Sequence, residues 1–177
     1  MLDLIFIETD RLLAVPLERE QLELYLQKSP SFEENMGFQV SSIFISDEVE
    51  ELLREAVLPR FLRDDTEIYW FTNWVVIERK TQKVIGDFCF YDYPDAQGLV
   101  ELGYGMYPAH QNKGFMSELM QGIIEWVKKQ ERVRYIRART ERTNLASIKL
   151  LSKSGFMCPN EEEPIQFWYY IIDSSKV

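Results

Sequence analysis

Glu101-Leu-Gly-Tyr-Gly-Met-Tyr-Pro-Ala-His-Gln-Asn-Lys-Gly-Phe-Met-Ser-Glu118 is the most telling segment of the chain. Strand-forming residues run into Pro108, a polar turn carrying Gly114 follows, and an amphipathic helix begins. Such a junction presents unpaired backbone N–H groups and the positive end of a helix dipole, which together hold a phosphate or pyrophosphate. Gly114 permits close backbone approach and Lys113 adds charge; a tight turn that needs glycine for its backbone angles accounts for the same residues. The segment has neither the three spaced glycines of a dinucleotide fingerprint nor the Gly-x-x-x-x-Gly-Lys-Ser/Thr of a P-loop, so the expected ligand is another phosphate-bearing cofactor.

Working outward, Lys113–Gln130 reads as a helix with Met116, Leu119, Met120, Ile123 and Val127 on one stripe. Upstream, Ile68–Glu78, Val84–Tyr93 and Leu99–Tyr107 are rich in aromatic and β-branched residues and are separated by polar turns, a pattern that predicts an antiparallel meander. Downstream come a strand over Val133–Thr140, a helix over Asn144–Ser154 stopped by Gly155, and a terminal strand over Ile165–Ile172. At the N-terminal end, Leu4–Pro16 reads as extended, Leu17–Lys28 as helix and Ser29–Val40 as loop. A second helix starts at a capping-box-like Asp47/Glu50 and is kinked or ended by Pro59. The predicted fold class is α/β (α+β), a mixed, largely antiparallel central sheet with helices on both faces, formed by residues 1–177 as a single domain.

The chain has 177 residues, 20 Lys and Arg against 29 Asp and Glu, a net charge of −9, and 46% hydrophobic residues. That apolar fraction supports a packed core and argues against wholesale disorder. No apolar run is long enough for a membrane span, and the first ten residues lack the basic start and apolar stretch of a secretory signal, so the expected location is cytoplasmic and no membrane partner is expected. Cys89 and Cys158 lie far apart with one histidine, His110, between them, which predicts neither a metal site nor a disulfide framework. Cys89 sits in the apolar run 86–91 and reads as a buried strand cysteine.

Gln111-Asn112-Lys113-Gly114-Phe115-Met116 resembles the Gln/Arg-x-x-Gly-x-Gly/Ala loop of the GNAT superfamily of acyl-CoA-dependent N-acyltransferases. The resemblance is strongest to the branch that acetylates ribosomal-protein N-termini. Asn144, Ser147, Leu150, Lys153, Gly155 and Phe156 match that branch's later Asn-x-x-Ser … Leu … Lys-x-Gly-Phe pattern, and Thr9-Asp10-Arg11-Leu12 matches its opening Thr-x-Arg-Leu. The three motifs stand in family order across nearly the whole chain. The resemblance implies acetyl-CoA as cosubstrate and no metal. It implies a pyrophosphate held by the 111–116 backbone, pantetheine along the strand edge near Met106 and Tyr107, and Asn144 contacting the pantetheine arm or ordering water near the thioester. Asn144 also reads as a helix N-cap on local grounds. The strands near 99–107 and 133–140 are expected to splay apart and admit the cofactor. Two departures stand out: Met116 replaces the small residue that usually ends the loop, and Leu151 stands where many members carry a tyrosine that protonates the leaving thiolate.

Acetyl transfer to an amine needs a neutral amine, a polarised thioester and an expelled thiolate. Glu101, between Val100 and Leu102 and near the expected opening, is the candidate base; a salt-bridged strand glutamate is the alternative reading. Tyr104 is a candidate for positioning the acceptor or donating a proton, or else simply packs. Residues 126–153 carry nine Lys and Arg against two Glu, a basic flank suited to phosphates, and the acidic remainder suits a cationic amine acceptor. Solvated surface explains the same charges. Nucleic acid is disfavoured by the net charge. Exposed members of the aromatic cluster Tyr69–Tyr93 offer a contact for a homodimer. The rival readings are a domain that binds acyl-CoA without efficient transfer and a cofactor-free interaction domain.

Overall fold

In the computed structural model, residues 5–62 and 67–172 are described. Seven strands, β1 (Ile7–Glu8), β2 (Leu12–Pro16), β3 (Asn73–Glu78), β4 (Lys83–Phe90), β5 (Leu99–Met106), β6 (Tyr135–Glu141) and β7 (Ile165–Ile171), lie side by side in chain order. Every neighbouring pair is antiparallel except β5–β6. That parallel pair requires a crossover, which α4 (Phe115–Val127) supplies.

Both faces of the central strands are covered, so β3 reads as an unbroken apolar run, Trp74-Val75-Val76-Ile77, instead of an alternating one. Trp74 and Val76 face one cluster with α4 and α5 (Leu145–Lys153), where Leu119, Met120, Ile123, Ile124 and Val127 bury the predicted stripe. Trp70, Trp74, Phe88, Phe90 and Trp126 pack ring against ring in that cluster. Val75 and Ile77 face the second cluster, under α1 (Arg19–Leu26), α2 (Pro30–Asn35) and α3 (Asp47–Leu52). Among the described residues no helix is long and apolar enough to cross a membrane.

The structure departs from the sequence expectation at several boundaries. The segment expected as a loop holds α2, because Ser29 Oγ accepts the Ser31 N–H and Pro30 enters the first turn, a start signal that buries Phe32. The extended Leu4–Pro16 is a hairpin turning at Thr9–Arg11, its residue 4 outside the described part. Ile68–Trp70 form a short 3₁₀ turn that sends Trp70 and Phe71 to opposite clusters, so β3 starts only at Asn73. Ser46, not Asp47, caps α3, and the chain winds on through a π turn at Leu53–Val57 and a 3₁₀ turn at Leu58–Leu62 that accommodates Pro59.

Candidate active site

The β5–β6 ladder pairs Leu99 with Tyr135 through Leu102 with Ala138 and then stops, although β5 continues to Met106 and β6 to Glu141. The two strands therefore part, leaving an edge of β5 without a strand partner among the described residues. Glu101 O accepts from Tyr91 N–H and Tyr107 N–H donates to Ile85 O, so odd-numbered residues of β5 turn their backbone groups to β4 and Tyr104 and Met106 turn theirs to the opening. A cavity of about 660 Å³ fills this gap. Leu102–Met106 and Arg139–Glu141 form its walls, Asn144 stands at the start of α5, and Phe44, Glu48 and Val49 close it on the α3 side.

The loop that follows β5 is shaped by backbone geometry. Asn112 and Gly114 are left-handed, with φ of 60° and 78°, and Gly114 is the N-cap of α4. The Glu118 N–H closes on Gly114 O, so the N–H groups of Phe115, Met116 and Ser117 precede the ladder and point out of the helix start. The Thr9–Arg11 turn braces this end. Thr9 Oγ1, Arg11 N and Arg11 Nε donate to the Glu118 carboxylate, Arg11 Nη1 donates to Lys113 O, and the guanidinium lies 4.6 Å over the Phe115 ring. Burial pushes the Glu118 carboxyl up, but these donors outweigh it and hold the group below its ordinary value.

The predicted site residues divide accordingly. Met106, Tyr104 and Asn144 line the cavity. Gln111, Asn112, Lys113 and Gly114 are exposed in the loop, with the Gln111 Nε2 donating to Met106 O and the Lys113 Nζ to Ala109 O. Phe115 is buried and Met116 packs against the main core, so the long Met116 side chain turns away from the loop's N–H groups. Asn144 caps α5, its Oδ1 accepting from Ser147 N–H. Tyr104 OH shares a 2.7 Å hydrogen bond with Ser147 Oγ, and burial pushes its phenol above the ordinary value, so it is held protonated.

Two expectations need correcting. Tyr107 is 4% exposed, its hydroxyl bonded to Tyr25 OH and its N–H to Ile85 O, so it faces the second cluster and not the opening. Glu101 lies in the paired part of β5, outside the cavity lining, with its Oε2 held by both Arg137 Nε and Nη2. The geometry is that of the salt-bridged strand glutamate.

Sequence reading missed Asp87. It stands on β4 opposite Val75 and Gly105, inside the cavity wall. Its Oδ2 accepts from Tyr25 OH at 2.7 Å, and Tyr25 OH meets Tyr107 OH at 2.9 Å. Burial pushes the Asp87 carboxyl up to about 6 against the lowering effect of the Tyr25 hydrogen bond. Neighbouring Cys89 is pushed up to about 12 by burial, so it is a neutral thiol in the wall. An aspartate inside the apolar run Val84–Tyr93 was the available signal, since a buried carboxylate has to be paired or used.

Comparison with known proteins identifies a family. The family described as "Acetyltransferase (GNAT) domain" matches residues 11–157. The uncharacterized N-acetyltransferase YjdG of Bacillus subtilis (strain 168) is 32% identical over 101 residues, 57% of this chain and 60% of that protein. The chain thus matches about half the length of its curated relatives. The ribosomal-protein-S5-alanine acetyltransferase of Vibrio fischeri superposes with a TM-score of 0.64 at 17% identity, covering 98% of this chain and all of that one. The spermidine N-acetyltransferase of Vibrio cholerae, solved with CoA and spermine, gives 0.62 at 18% identity over 93% and 97%. These two likenesses are of fold. With its parted strands, its braced loop and a family match spanning most of its length, the chain belongs to the GNAT acetyltransferase family.

Proposed function

We propose that the protein is an acetyl-CoA-dependent N-acetyltransferase that passes the acetyl group to a primary amine, on a protein N-terminus or a small molecule, by direct attack in a ternary complex. The observation that carries this reading is that one strand, β5, has both a free edge facing a cavity and, just beyond its end, a helix start with outward N–H groups. The N–H groups of 115–117 and the left-handed Gly114 suit a pyrophosphate, and the edge of Tyr104 and Met106 suits the amide-bearing pantetheine arm. CoA supplies the acetyl group as a thioester. Tyr104, kept protonated, gives its proton to the departing sulfur from the α5 side, and Ser147 fixes its hydroxyl. Glu48 and Glu141 at the other side favour a cationic acceptor, with Arg139 between them.

Calorimetry with acetyl-CoA, with ATP as control, tests the pocket. Micromolar binding, roughly −8 kcal/mol, is expected, and no binding would overturn the reading. Thiol release is then followed with spermidine and with short peptides beginning in Ser or Ala. Binding without turnover of any amine would favour the acyl-CoA-binding alternative, for which the fully buried Leu151 speaks, since α5 offers no phenol at that position. Tyr104→Phe is expected to lower kcat by about 10- to 100-fold with little change in the KM for acetyl-CoA. An unchanged kcat would remove Tyr104 as the proton donor.

A further inference from the structure

Direct attack leaves a proton on the amine nitrogen, and Glu101, engaged by Arg137 outside the cavity, is not placed to receive it. Asp87 is. It lies on the face of the sheet that α1–α3 cover, the side opposite Tyr104, whose side chain packs with the α4–α5 cluster. The two groups thus bracket the opening, one on each side of β5. Asp87 Oδ2 is occupied by Tyr25, whereas Oδ1 lies over Gly105, where a Cβ would come within 3.6 Å of it. Glycine at that position leaves the carboxylate reachable from the free strand edge, whereas Gly103, two residues before it, lies under the Tyr91 ring, which bounds the approach on that side.

Resting on the acetyl-transfer reading above, we propose that Asp87 is the catalytic base, with Tyr25 as its positioning residue and Tyr107 fixing Tyr25 from behind. The lone pair of the neutral amine forms the N–C bond, and Asp87 Oδ1 takes the proton that this leaves on the nitrogen. As the C–S bond breaks, its electron pair leaves on sulfur, which Tyr104 protonates; both side chains then exchange protons with water. The groups around Asp87 are Tyr25 from α1, Tyr107 beyond β5, Asn73 from β3 and Cys89 on its own strand, with Tyr91, Glu48, Arg139 and Glu141 around the same cavity and Glu33 of α2 behind Tyr107. Burial, the leading influence, raises the carboxyl to about 6, a value suited to a base that is ionised at neutral pH and still able to hold a proton.

The sign follows directly. The base works ionised, so kcat/KM should fall as pH drops through about 6. Acetyl transfer from acetyl-CoA to spermidine and to the Ser- and Ala-initiated peptides is measured between about pH 5 and 9, a range that spans the limb expected of a shifted carboxylate. Asp87→Asn is expected to lower kcat/KM by about 100-fold or more, abolish the component of the acid limb near 6, leaving only the limb set by the amine's own titration, and leave CoA binding unchanged. Removing a carboxylate whose folded pKa is raised relieves a cost that builds up between the ordinary carboxylate value and about 6 and stays constant above it, so this variant should melt no lower than the wild type at about pH 8. Tyr25→Phe takes away the hydrogen bond that lowers Asp87, and the acid limb should move to higher pH. Wild-type activity retained in Asp87→Asn with its acid limb intact would overturn the role of Asp87 alone. A wild type that binds CoA but acetylates none of the amines would overturn acetyl transfer and Asp87 together.

Discussion

Gly114→Asp is expected to cost at least about 100-fold in CoA affinity, about 2.8 kcal/mol, while the protein melts close to the wild-type temperature. The substitution has room, although a φ of 78° makes any side chain there cost some local strain. A Cβ at Gly114 meets nothing nearer than Arg11 Nη2 at 3.6 Å, aspartate tolerates left-handed backbone better than most residues, and a carboxylate is a favoured N-cap. Its side chain would accept from the N–H groups at the start of α4 and pair with Arg11. Those are the donors on which the pyrophosphate assignment depends, and the mutant would present them with a covalently attached anion. Loss by donor occupation and loss by charge separate in Gly114→Asn, which has nearly the same shape without the charge and should lose less. Calorimetry with CoA beside a thermal melt measures both quantities. Unchanged affinity in Gly114→Asp would remove the 111–116 loop from the binding site.

The loop was legible because everything it needs is local. A strand ending at Pro108, a glycine and an amphipathic helix imply outward N–H groups whatever surrounds them. The brace beneath it was visible only as motif resemblance, because Thr9 and Arg11 meet Glu118 more than 100 residues along the chain. Glu101 illustrates the same limit. Its partner Arg137 is 36 residues away across the one parallel pairing, and nothing around residue 101 announces it. Tyr107 was misplaced by register: period-two alternation identifies a strand, but which residues turn their N–H groups to the open edge depends on the pairing with β4. The Ser29–Val40 error was of another kind, since the Ser-Pro start of α2 was present in the sequence and was outweighed by the Pro, Asn and Gly around it. Asp87 was legible in principle, as an acid in the middle of an apolar run. Its tie to Tyr25 spans 62 residues.

Gly86→Ala should damage both the fold and the site, because of where β4 touches β5. A Cβ at Gly86 would stand 2.5 Å from the Gly105 carbonyl oxygen and 3.2 Å from Met106 Cα, both backbone atoms, besides 3.0 Å from the adaptable Met106 Sδ. Gly86 lies where the β3–β4 register shifts, opposite Val76, and β3 is packed on both faces, so β4 has no room to retreat. The strain falls on β5. On its far side β5 meets β6 only through Leu102, and beyond that it borders the cavity, so residues 103–106 yield into the opening that the pantetheine arm requires. Overpacking of this kind costs about 1–3 kcal/mol, which for a chain of this size lowers the melting temperature by roughly 2–4 °C per kcal/mol. CoA affinity should fall with it, because the moving segment carries the edge groups of Tyr104 and Met106. Gly37→Ala is the control: nothing lies within 4 Å of its Cβ, and although its φ of 75° imposes local strain, it is remote from the parted strands. Its cost should stay near 1 kcal/mol, with CoA binding intact. If Gly86→Ala melts well below Gly37→Ala and still binds CoA like the wild type, the opening beside β5 is not where the cofactor lies.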